Sequence, residues 1–92
     1  MNIIVKPSFE RDIDKIKDRE LKTALDEKIT QIEKAQGISN VTSLKQLRTY
    51  QTHYRIKVET PKHKYRIGAI IRNNKIWLVR FCPRKIIYLQ FP

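Results

Sequence analysis

Acidic residues are nearly absent from most of this chain. Residues 34–92 carry thirteen lysines and arginines against Glu59 alone, a net of +12, whereas residues 1–33 hold seven against eight acids, a net of −1. A solvated face usually mixes both signs, and like charge costs stability. The imbalance therefore points first to a polyanion such as nucleic acid, ahead of an acidic protein, a membrane surface or plain solubility. The same shortage argues against metal-dependent nuclease chemistry, which needs clustered carboxylates. His53, His63 and Cys82 are too scattered for a zinc site, so neither metal nor cofactor is expected.

Cysteine is as scarce as acid. Cys82 stands alone, so no internal disulfide forms, and the opening MNIIVKPSFERD lacks the apolar run of a secretory signal; the expected compartment is the cytoplasm. No apolar run approaches the roughly 20 residues that cross a bilayer, so no membrane partner is expected. Glycine and proline number only 2 and 4 while 40% of residues are apolar, which excludes a disordered or low-complexity chain. A chain of 92 residues makes one domain, 1–92, with room for a single core.

Apolar periodicity divides that domain in two. Asn2 to Val5 reads as a strand, with Pro7 ending it and Ser8 as a helix N-cap. Phe9, Ile13 and Ile16, then Leu21, Leu25, Ile29 and Ile32, recur at helical spacing around a break at Lys17 to Arg19, giving an αα-hairpin closed near Gly37. Residues 38–49 show no clean period and read as a loop with Val41, Leu44 and Leu47 tucked inward. From Tyr50 the period becomes two. Three antiparallel strands follow, with Asn73 and Asn74 as a tight turn and Pro83 ending the last. The fold class is α+β, with helices on one face of a four-stranded sheet.

The alternation that buries Tyr54, Ile56 and Val58 turns Arg55 and Lys57 to the other face, about 7 Å apart. An edge strand guarded by charge is one reading of that pair. Adding Arg66, Arg80 and Arg84 favours one cationic basin, with Lys45, Arg48, Lys64, Arg80 and Lys85 as its RNA-binding rim. A Ser or Cys nucleophile with His and Asp partners finds no support; Cys82 reads as core, and His53 and His63 as surface. What remains is metal-free cleavage of RNA, in which the 2′-hydroxyl attacks and guanidinium groups neutralise the phosphorane. A lysine among arginines loses its proton more readily, which makes Lys57 a candidate base. Tyr88 is placed to stack on a base or assist the leaving group.

The runs LRTYQTHYRIKV (Leu47 to Val58), KYRIGAI (Lys64 to Ile70) and PRKIIYLQFP (Pro83 to Pro92) resemble the RelE/ParE superfamily of toxins from bacterial toxin–antitoxin pairs. The resemblance spans nearly the whole chain. It implies a toxin that cuts mRNA on the ribosome without metal and is neutralised by a cognate antitoxin, with Arg55, Lys57, Arg66, Arg84 and Tyr88 as the catalytic set. It also implies that Ile86, Ile87, Leu89 and Phe91 dock the tail and hold Arg84 and Tyr88 at the rim. Two positions depart from the pattern: Thr49 stands where many relatives have glycine, and Pro83 where they have histidine. A ParE-like inhibitor of DNA gyrase and a non-catalytic RNA-binding module are the alternative readings. Oligomeric state stays open.

Overall fold

Asn73 and Asn74 both take left-handed backbone angles, with φ of 51° and 61°. A two-residue hairpin whose twist matches its strands demands this conformation, and asparagine tolerates it. The turn folds β4 (Lys64–Arg72) onto β5 (Lys75–Pro83) in the structure, a computed structural model describing residues 1–92. On its other side β4 pairs antiparallel with β3 (His53–Glu59), setting Lys57 opposite Arg66 and Arg55 opposite Gly68. β1 (Asn2–Val5) runs parallel along the outer edge of β5.

The sheet has five strands where the sequence predicts four, in the order β1-β5-β4-β3-β2. The additional strand, β2 (Leu44–Gln46), lies in the stretch read as a loop and pairs with residues Tyr54 to Ile56. Three residues are too few to display a period. Val41 is buried in the main core and Leu44, half-buried, packs against that core, as expected.

α1 (Pro7–Asp14) and α2 (Arg19–Lys34) cover one face. Phe9, Leu21, Leu25 and Ile32 close over Tyr54, Ile56, Val58, Ile67, Ala69, Ile76 and Leu78 in one apolar cluster. The break between the helices is capped by Asp18, whose carboxylate accepts the Leu21 N–H at 2.9 Å. Ser8 is not the N-cap of α1. Lys6 takes that place, Pro7 fills the first helical turn where its missing N–H costs nothing, and the Ser8 hydroxyl donates to the Val79 carbonyl.

The tail is a helix, α3 (Arg84–Gln90), and it lies on the face opposite α1 and α2, so the helices do not share one face. Helical spacing changes which tail residues dock. Ile87 and Phe91, one turn apart, are buried with Cys82 beside Leu47, Ile70 and Val79, whereas Ile86 and Leu89 are 45% and 82% exposed. Gly68 makes that docking possible, because a Cβ there would sit 2.6 Å from Phe91 Cγ.

β5 does not keep the strict alternation predicted for it. Gly68 faces Arg80 while the next residue, Ala69, faces Leu78, so Val79 is an extra residue in a bulge. The bulge moves Phe81 to the core side, into the same cluster as Leu78. It also lies just beyond the end of β1, where the β5 edge has lost its neighbour. The Asp12 carboxylate substitutes, accepting the Phe81 N–H at 2.8 Å and Arg80 Nε and Nη2 at 2.7 and 3.1 Å. Burial alone would raise this carboxyl, but the Arg80 and Phe81 hydrogen bonds and the Arg80 charge outweigh it and hold the pKa below its ordinary value.

Two stability predictions follow from these contacts. Asp12→Ala leaves Arg80 unpaired and the Phe81 N–H without a partner, and should lower the unfolding free energy by about 3 kcal/mol in urea at pH 7. Because the folded pKa is depressed, that stabilisation is complete above the unfolded value of about 3.9 and fades as pH falls through the folded one. The gap between wild type and variant should therefore close in acid. Gly68→Ala should cost about 1–3 kcal/mol by overpacking against Phe91. In a Phe91→Ala background the same substitution should cost much less, as a double-mutant cycle of denaturation midpoints would reveal.

Candidate nucleic-acid cleft

Neighbouring strands keep their side chains in phase, so one face of the sheet collects charge. Lys45 pairs with Arg55 across β2 and β3, and Lys57 pairs with Arg66 across β3 and β4. α3 forms the side wall and supplies Arg84 and Tyr88. Together these residues, with Lys64 and Glu59, line a cleft of about 630 Å³.

The arginines are held by specific partners. Arg66, only 6% exposed, donates Nη1 to Glu59 Oε2 at 2.7 Å and to the Tyr65 carbonyl at 2.9 Å. Glu59 is held below its ordinary pKa, first by the hydrogen bond from Arg66 and then by the charges of Arg66, Lys57 and Lys64. The Arg55 guanidinium lies 4.5 Å from the centre of the Tyr88 ring, a cation–π contact. Its Nε is buried with no hydrogen-bond partner, an unfilled donor in the wall of the cleft.

Arg84 and Tyr88 meet because they are one helical turn apart, and Arg84 Nε donates to Tyr88 Oη at 3.0 Å. That hydrogen bond, followed by the charges of Arg84, Arg66 and Arg55, lowers the Tyr88 pKa. The same contact raises that of Arg84. The site thus combines fixed guanidinium groups with a phenol whose proton is loosened, a set able to grip a phosphodiester and supply a proton beside it.

Of the residues singled out in the sequence, Arg55, Lys57, Arg66, Arg84, Tyr88, Lys45 and Lys64 come together here. Arg48 lines an adjoining groove of about 320 Å³ that shares Lys45 and Arg55 with the cleft. Arg80 stands apart from the basin, bound to Asp12 and to Gln90. Lys85 is exposed on α3 and does not line the cleft. Ser43, Leu44 and Glu59 line the cleft without having been singled out from the sequence as site residues, and Glu59 is the charged one among them. Its signal was available, since it follows Arg55 and Lys57 at the same two-residue spacing.

A chain of the RelB–RelE antitoxin–toxin complex from Methanococcus jannaschii superposes on this structure with a TM-score of 0.74, covering 97% of this chain and 99% of that one at 20% identity. This chain has a RelE-type fold. No protein-family model and no curated protein matches the sequence. At 20% identity the likeness to RelE is one of fold. The RelE-type arrangement brings the strand face and α3 to a common cleft, and the side chains filling it are this chain's own.

The Arg84–Tyr88 contact is directly measurable. With tyrosine Cζ labelled for NMR titration, Tyr88 should ionise below the usual tyrosine range of about 10. Arg84→Ala should move it back up, and an unchanged Tyr88 titration would show that the two side chains do not interact.

Proposed function

We propose that the protein is the toxin of a toxin–antitoxin pair and acts as an endoribonuclease on mRNA. The observation that carries this reading is the convergence of Arg55, Lys57, Arg66, Arg84 and Tyr88 on one cleft. The RelE-type fold adds to it, and the solved relative, a complex of toxin with antitoxin, supports a cognate antitoxin as partner.

RNA carries its own nucleophile. In the proposed reaction the 2′-hydroxyl loses its proton, attacks the adjacent phosphorus in line, and expels the 5′-oxygen, leaving a 2′,3′-cyclic phosphate. The barrier lies mainly in the charge that gathers on the phosphorane oxygens, and preorganised donors aimed at that charge lower it. Arg55, Arg66 and Arg84 supply those donors. Lys57 and Tyr88 are the proton-handling groups: Tyr88, with its pKa lowered by three arginines, gives its proton to the departing 5′-oxygen more readily than an ordinary phenol, and Lys57 takes the proton of the 2′-hydroxyl. The ribosome would present the message to this cleft, as the resemblance to RelE implies. The Arg48 groove would continue the strand past Lys45.

Expression without an antitoxin should arrest growth and cleave translated messages, with 2′,3′-cyclic phosphate ends on the products. Arg84→Ala should keep the wild-type melting transition and slow cleavage by about 100-fold or more. Cleavage of a free RNA oligonucleotide should persist in EDTA. Blocked DNA supercoiling with messages intact would replace this reading with gyrase inhibition, and salt-sensitive RNA binding without turnover would replace it with a binding module.

A further inference from the structure

Among the charged residues lining the cleft, Glu59 is the single carboxylate, set against Lys45, Arg55, Lys57, Lys64, Arg66 and Arg84. By simple electrostatics it should weaken the site, because it repels the phosphate that the six cations attract. What it touches indicates a different role. Its Oε2 takes Arg66 Nη1 at 2.7 Å, and the Tyr65 carbonyl takes the same nitrogen at 2.9 Å. Both contacts fall on one corner of a buried guanidinium. Nε and Nη2, the other edge of the fork, make no hydrogen bond within the protein.

A guanidinium held this way has lost most of its freedom before any ligand arrives. Arg66 lies on β4 directly across from Lys57, a like-charge pair that would otherwise push the two side chains apart. Glu59, two residues beyond Lys57 on the same face of β3, offsets that repulsion and draws Arg66 toward the end of the cleft. Glu59 ends β3, and Lys64, paired with it, begins β4, so backbone pairing sets the position of the carboxylate.

We propose that Glu59 is the positioning residue of this cleft: it fixes the Arg66 guanidinium by Nη1 so that its remaining edge meets the scissile phosphate of an RNA strand. This rests on the ribonuclease reading. It goes further in assigning the one acid of the site a role that raises turnover at the expense of ground-state affinity. Positioning is worth most in the transition state, whereas the repulsion between carboxylate and phosphate acts on every bound strand.

The two effects separate in kinetics. Glu59→Ala should lower the single-turnover cleavage rate by about 10- to 100-fold. It should also tighten binding of an RNA oligonucleotide blocked by a 2′-deoxy sugar at the cut site, by about two- to fivefold. Glu59→Gln keeps an acceptor for Nη1 without the charge, so it should bind that oligonucleotide as tightly as the alanine variant and recover most of the rate. In an Arg66→Ala background, Glu59→Ala should slow cleavage no further. Wild-type turnover in Glu59→Ala, additivity with Arg66→Ala, or a glutamine variant as slow as the alanine one would each overturn the proposal. If the wild type cleaves no RNA, the ribonuclease reading falls. Nitrogen-15 NMR of the Arg66 side chain then decides for Glu59: hindered rotation that Glu59→Ala releases supports the anchoring, and equal mobility in both proteins overturns it.

Discussion

The two-residue period of β3, held in register by β4, is the constraint on which the rest of the molecule depends. One side of that strand presents Tyr54, Ile56 and Val58 to the helices, and the other presents Arg55, Lys57 and Glu59 to the cleft. A slip of one residue would exchange the two sets. Burial of the apolar set therefore stabilises the display of the charged set, since the core cannot form in any register that leaves the cations elsewhere. The work of assembling like charges is met by apolar burial on the reverse face of the same strand.

Assembly alone would leave the cations splayed by mutual repulsion. Each arginine is instead given a local partner: Glu59 for Arg66, the Tyr88 ring for Arg55, and the Tyr88 hydroxyl for Arg84. Such contacts at a partly open site contribute little to global stability. Their value lies in geometry, because a guanidinium fixed before its ligand binds has less freedom to lose on binding. The Arg80–Asp12 pair works differently. It is mostly buried, closes the bulged edge of β5 and orients α1 against the sheet, so its contribution belongs to the fold.

The strand pattern was legible because its signals are local. Alternation of apolar and charged residues from Tyr54 onward, the Asn73–Asn74 turn, Pro83 and the heptad-like spacing of Leu21, Leu25 and Ile32 each report a property of the nearest few residues. The misses came where a distant element overrode the local pattern. β2 is a strand only because the β3 edge offers it a partner. The bulge at Val79 reverses the expected facing of Phe81, and it is stabilised by Asp12, far away along the chain. Arg80 looked like one more cation of the basin for the same reason: nothing adjacent to it in sequence announces the carboxylate that takes it.

Charge imbalance, the missing acids and the helical and strand periods were determined by the amino-acid order alone, since each depends on residue identity and short-range spacing. Tertiary structure decided which cations share a cleft, that the tail is a helix docked by Ile87 and Phe91 over Gly68, and that Glu59 grips Arg66. Those outcomes depend on the register between strands and on the close approach of α3 to the sheet. Hydrogen bonds and steric fit act over a few ångströms of space, whatever distance along the chain separates the groups they join.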